Sequence, residues 1–266
     1  FHDRKGGIWE TPRISADNSL LREQTRRTAA EAFMLGMLFI FGLYHICMHF
    51  FRPDERTALF FGLFCLAVGT RTLFVGTMLG CSFFPALPWP AACRIEYISC
   101  FLMPLFFMLY SIELFPSEFS RVAGKICVGA ACTASVPVLL TDKLLFGSLL
   151  HVIQLFTLLV TAYVLYGYLR AALRRRPGAL SALGGFAVFF AAVANDLLFG
   201  AELIRSVNLL PYGFLFFIFA HSVNLSYIFA QAFRRIKTLS EELEYVNSAL
   251  EEKVCARTFE LSEKNR

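Results

Sequence analysis

Residues 189–203 read FFAAVANDLLFGAEL, an apolar run that carries an asparagine and an aspartate, Asn195 and Asp196, side by side in its middle. Whether this run is a buried helix of a globular domain or a stretch of membrane decides the fold. The whole chain answers for the membrane: 57% of its 266 residues are hydrophobic, 17% are charged and thirty are Phe, a composition outside the range of soluble domains. About 20 apolar residues cross a bilayer, and seven runs meet that length: 29–51, 57–79, 95–115, 122–140, 148–169, 179–203 and 211–231. Charge or breaker clusters separate them, such as RPDER at 52–56, FFPALPWP at 83–90, FPSEFSR at 115–121 and LRRRPG at 173–178. The expected fold is an all-α membrane protein, a seven-transmembrane helix bundle.

Lysine and arginine collect in cytoplasmic loops, which orients the bundle. The loops after helices 1, 3 and 5 hold Arg52, Arg56, Arg121, Lys125, Arg170, Arg174, Arg175 and Arg176, whereas those after 2, 4 and 6 hold Arg94, Lys143 and Arg205. The N-terminus is therefore expected outside and the C-terminus inside, where Arg234, Arg235 and Lys237 continue the pattern. The net charge of +5 reads as a topology signal, with no nucleic-acid partner.

The opening FHDRKGGIWETPRI suits the last strand of a β domain, so residues 1–14 are assigned to the end of a periplasmic β-sandwich and 15–28 to a polar juxtamembrane linker. Residues 29–231 form the membrane region, and 232–266 a cytoplasmic signalling helix leading to an output domain beyond Arg266. That last segment is charged and free of Gly and Pro. Leu239, Leu243, Val246 and Leu250 follow 4-3-4 spacing, and Val254, Thr258 and Leu261 continue it with an inserted four. A heptad seam with a stutter implies a parallel homodimeric coiled coil, the alternative being a solvated helical tail.

Several stretches together carry a resemblance: GGIW at 6–9, GLYH at 42–45, LFFGLFCLAVGTRTL at 59–73, LPW at 87–89, RIEY at 94–97, LFPSEFSR at 114–121, NDLLF at 195–199 and AFRRIKTLSEEL at 232–243. They resemble the bacterial seven-transmembrane receptors with diverse intracellular signalling modules. LEEKVCARTFEL, at 250–261, resembles the signalling helix that precedes histidine kinase, diguanylate cyclase or phosphatase modules, with Ala256 departing from its usual Glu-Arg-Thr signature. The resemblance implies a multi-pass receptor of the bacterial inner membrane whose output chemistry lies outside this chain.

Asn195 and Asp196 then have a candidate setting. With a rise of about 1.5 Å per residue, Asp196 lies roughly 10 Å below the outer end of helix 6 and Arg71 roughly 12 Å below that of helix 2. These two charges share a depth, and Glu96 begins helix 3 close to the outer surface. Arg71, Glu96, Asn195 and Asp196 could converge in the outer half of the bundle, since an unpaired charge at a helix centre costs about 2.5–3.5 kcal/mol on insertion scales. Such a cluster either captures a small-molecule ligand or only pins helices. These four and His45 fall in the matched motifs, which makes them candidates without naming a ligand. His221 and Asn224 share a face of helix 7 at i, i+3, a spacing suited to interhelical hydrogen bonding. His45 and His49 have metal-ligand spacing but no second pair nearby, and no metal or other cofactor is expected. Cys81 and Cys93, both in the outer loop between helices 2 and 3, are the candidates for a disulfide.

Nothing in the sequence supplies a nucleophile with its base, a phosphate-cradling glycine loop or a metal-activated water, so catalysis within this chain is not expected. A transporter or channel is the competing class, opposed by the coiled-coil tail and by the absence of an evident inverted repeat or Gly/Pro-broken helix pair. A retinal-type sensor would need a Schiff-base lysine, and Pro211–Gln231 contains none.

Overall fold

A computed structural model describes residues 18–53, 55–75, 77–141, 150–200, 203–204, 206 and 209–264. Described residues form helices and no strand: α1 Ser19–Phe51, α2 Arg56–Phe74, α3 Leu79–Phe83, α4 Trp89–Leu114, α5 Arg121–Leu140, α6 Leu150–Leu173, α7 Ala179–Gly200 and α8 Leu210–Lys264. Stretches of α1, α2, α4, α5, α6 and α8 are long and apolar enough to cross a membrane. With the 22-residue α7 they provide the seven spans of an all-α membrane bundle. The assignment of 1–14 to a β-sandwich lies outside the described residues.

Helix ends differ from the apolar runs where local chemistry intervenes. The polar stretch before the first run is helical from Ser19, so α1 has 33 residues. The second run breaks early: α2 stops at Phe74, Val75 is extended, and Met78 takes the left-handed conformation ahead of the five-residue α3. The third starts early, at Trp89, because Pro90 falls in the first turn, where its missing N–H has no helical acceptor. α5 is capped by Ser120, whose hydroxyl accepts from the Val122 N–H at 3.2 Å. Pro104 lies inside α4 and Pro137 inside α5, and both helices run on past them.

Two compact units divide the chain, Phe1–His221 and Ser222–Arg266, with the boundary falling within α8. In the first, α2 packs on α1 and α4, α4 also contacts α5 and α6, and α6 contacts α7. The α1–α2 crossing is set by two facing glycines: a Cβ on Gly42 would lie 2.8 Å from Leu66 Cδ2, and one on Gly62 would lie 2.7 Å from the Gly42 carbonyl oxygen. Small residues let helix backbones approach closely, which is how helices associate where lipid removes the hydrophobic drive. The core is aromatic, with Phe61, Phe101 and Tyr110 almost wholly buried. In the second unit the tail is exposed, and Leu239, Leu243, Val246, Leu250, Val254 and Leu261 are each 55–70% accessible along a helix rich in charged residues.

Candidate functional site

Three polar groupings sit in the first unit. One joins α2 to α4 near the end where α2 finishes and α4 begins. The Arg71 guanidinium donates to Cys100 Sγ and approaches the Glu96 carboxylate at 3.9 Å, and Cys100 in turn donates to the Glu96 backbone carbonyl at 3.2 Å. Glu96 and Cys100 are four residues apart, so one face of α4 meets the arginine. Both charged side chains are part-exposed, which makes this a loose ion pair. Because α2 stops at Phe74, Arg71 lies one turn from its helix end, shallower than the continuous run to 79 implied. Asn195 accepts from the Ser206 hydroxyl at 2.6 Å. The Asp196 side chain lies outside the described residues, so the described partners of Arg71 are Glu96 and Cys100.

Toward the opposite end of the helices is a buried aromatic and hydroxyl network. His45 on α1 meets Phe61 on α2 edge to face, with centroids 4.8 Å apart. Phe61 packs on Tyr110 of α4 at 5.0 Å, and the Tyr110 hydroxyl lies 3.1 Å from His221 Nδ1. The Nε2 side of His221 faces α7: a Cβ on Gly185 would lie 3.8 Å from it. Ser111 Oγ donates to the Phe107 carbonyl at 2.8 Å, which leaves the Tyr168 hydroxyl as donor in the 3.0 Å contact between Tyr168 and Ser111. His45 and His221 are both fully buried, and together with Tyr110 and Tyr168 they tie α1, α2, α4, α6 and α8 into one cluster. Asn224 belongs to the second unit and is buried, with neither amide atom in a hydrogen bond among the described residues. His49 Nδ1 donates instead to the Glu55 carbonyl at 3.0 Å, bracing the α1–α2 turn.

The third grouping is one that sequence reasoning missed. The 115–120 connection folds against α6: a Cβ on Gly167 would overlap the Phe119 ring at 2.1 Å, so Phe119 occupies a notch that only glycine leaves open. Phe115 and Phe119 both meet Tyr168 edge to face. Between them the Glu118 side chain, fully buried, is ringed by Arg170, Arg174 and Arg176 at 3.2, 3.2 and 3.4 Å. Burial pushes its carboxyl pKa up. Hydrogen bonding from Arg174, the charge of Arg174, and hydrogen bonds from Ser117 and Arg176 outweigh burial and hold the pKa below the ordinary carboxylate value. The available signal was a lone glutamate between two phenylalanines, within reach of a run of three arginines.

Cys81 and Cys93 are not joined. Cys93 is buried in the first turns of α4 while Cys81 sits half-exposed on α3, and both remain thiols. Among the described residues no group of three or more metal-ligating side chains occurs.

A membrane bundle with buried polar groups and a long charged terminal helix is shared by several classes of protein, and sequence comparison distinguishes them. The profile of a family described as 7TM diverse intracellular signalling matches residues 27–230. The chain belongs to that family. It is therefore a multi-pass membrane protein of a signalling receptor family, and its matched region ends one residue short of Gln231. No curated protein and no solved structure matches the chain.

Proposed function

We propose that this protein receives a periplasmic or intramembrane stimulus and relays it, as a homodimer, through its C-terminal helix to a cytoplasmic output module of the histidine kinase, diguanylate cyclase or phosphatase type. The observation that carries the reading is the apolar row from Leu239 to Leu261, exposed at near-heptad spacing along a helix rich in charged residues. Apolar side chains repeating at heptad spacing are stabilised when a second helix covers them. In this reading the N-terminus is outside, the bundle spans the inner membrane, and the Arg71–Glu96 pair, with Asn195 and Asp196, takes part in receiving the stimulus.

The test is single-cysteine crosslinking in membranes, in a background carrying Cys255→Ser to remove the exposed tail thiol. Cysteines at Leu239, Leu243, Val246 and Leu250 should crosslink between chains more readily than cysteines at Glu242 or Ser248. Uniform crosslinking around the helix would remove the dimeric relay.

A further inference from the structure

A cavity of about 860 Å³ opens where α2, α4 and α5 meet, at the end of the bundle that carries the 52–55 and 115–120 connections. Its walls include Arg56 and Phe60 from α2, Leu109, Ile112 and Glu113 from α4, and Arg121, Lys125, Val128 and Gly129 from α5. On every wall the charged residue is nearest the helix end and the apolar ones lie further in: Arg56 precedes Phe60 by one turn, Glu113 follows Leu109 by one turn, and Arg121 and Lys125 precede Val128 and Gly129. From Arg121 to Gly129 the groove descends about 12 Å into the bilayer at 1.5 Å per residue. Three cations face one carboxylate. Among the described residues the side chains of Arg56, Arg121 and Lys125 take part in no ion pair or hydrogen bond, although Glu113 lines the same cavity. Arg56 and Arg121 are also the first residues of α2 and α5, so two helix N-termini add partial positive charge at the same place.

We infer that this groove binds an anionic glycerophospholipid from the bilayer, its phosphate held by Arg56, Arg121 and Lys125 and the first part of an acyl chain lying along Phe60, Leu109, Val128 and the open face of Gly129. A soluble phosphate would use only the charged mouth, and a neutral lipid would leave the excess of two positive charges uncompensated. At about 30 Å³ per group the size of a water molecule, the cavity holds on the order of thirty non-hydrogen atoms, which accommodates a phosphoglycerol headgroup and the start of one chain. Glu113 stands where it can accept from headgroup hydroxyls.

The test uses the whole chain purified in detergent. Native mass spectrometry counts retained phosphatidylglycerol against phosphatidylcholine at equal loading, with glycerol 3-phosphate as the soluble control. Wild type should retain phosphatidylglycerol preferentially. The double variant Arg121→Gln/Lys125→Gln, altered at exposed positions, should lose about 30-fold of that preference, since a cation near an anionic lipid surface contributes about 1 kcal/mol. Gly129→Trp, where an added Cβ meets nothing within 4 Å, should abolish lipid retention with all three cations intact. Equal retention of the two lipids by wild type, or unchanged retention in both variants, would overturn the proposal. Glycerol 3-phosphate displacing phosphatidylglycerol at equal concentration would overturn it too, leaving a plain anion site.

Discussion

Gly167→Ala asks whether the 115–120 connection is packed as the structure has it. A Cβ there would stand 2.1 Å from Phe119 Cζ and 2.3 Å from Cε1, while ordinary contact begins at 3.4 Å. The ring would have to retreat by roughly 1.3 Å to reach that contact, yet it is held by Tyr163 and Tyr168, and the next residue, Ser120, donates its N–H to the Tyr163 hydroxyl at 3.1 Å. Overpacking of this kind destabilises by about 1–3 kcal/mol. Gly184→Ala is the matched control, because a Cβ there meets nothing within 4 Å. Both changes carry the same helix-propensity gain of about 0.5–1 kcal/mol, so the difference between them in thermal unfolding in detergent isolates the overpacking. Gly184→Ala should stabilise, Gly167→Ala should fall below it by about 1–3 kcal/mol, and Phe119→Leu should restore part of the loss when added to Gly167→Ala. Equal behaviour of the two alanines, or strict additivity of Gly167→Ala with Phe119→Leu, would refute the docked position of the ring.

Neutralising either Arg71 or Glu96 to Gln should lower stability slightly, and a double-mutant cycle should return a coupling of no more than about 1 kcal/mol, as for other part-exposed pairs; zero coupling would dissolve the pair. The same cycle run between Arg71→Gln and Asp196→Asn measures whether the aspartate joins them. Glu118 has a depressed pKa, so its contribution to stability is fully present above the carboxyl's unfolded-state value and is lost as pH falls through the lower folded-state value. Glu118→Gln should therefore be destabilised near neutrality and should lose less than wild type on acidification, as read by thermal unfolding across pH. A topology reporter fused after Arg176 should be cytoplasmic and one after Lys143 periplasmic, and either label reversed would overturn the charge-derived orientation.

The membrane class and the spans were legible because a bilayer imposes length and apolarity on every crossing, and those properties are one-dimensional. Helix ends were less so: the run at 57–79 hides a break after Phe74 that apolarity does not mark. Depth matched Arg71 with Asp196 and put Glu96 nearer the surface, as charges in membrane helices seek partners; among the described residues Arg71 meets Glu96 and Cys100, because α2 ends at Phe74 and brings the arginine closer to that surface. The Glu118 ring could not, since it depends on a six-residue connection folding back on α6, and loop conformation leaves no periodic trace. Nor could the pairing of His221 with Tyr110 be read, because their spacing of 111 residues becomes contact only through the order in which helices pack.

Pro104 lies between the two polar groupings of α4, with Glu96 and Cys100 on one side and Tyr110 and Ser111 on the other. A proline at that position has no N–H to give the Cys100 carbonyl, so the hydrogen-bond ladder lacks one rung there. Bending stiffness is accordingly lowest at that point, and α4 behaves as two short rods sharing a joint rather than as a single shaft. Tilting the Arg71-facing rod changes the angle at the joint before it displaces the rod that holds Tyr110 against His221.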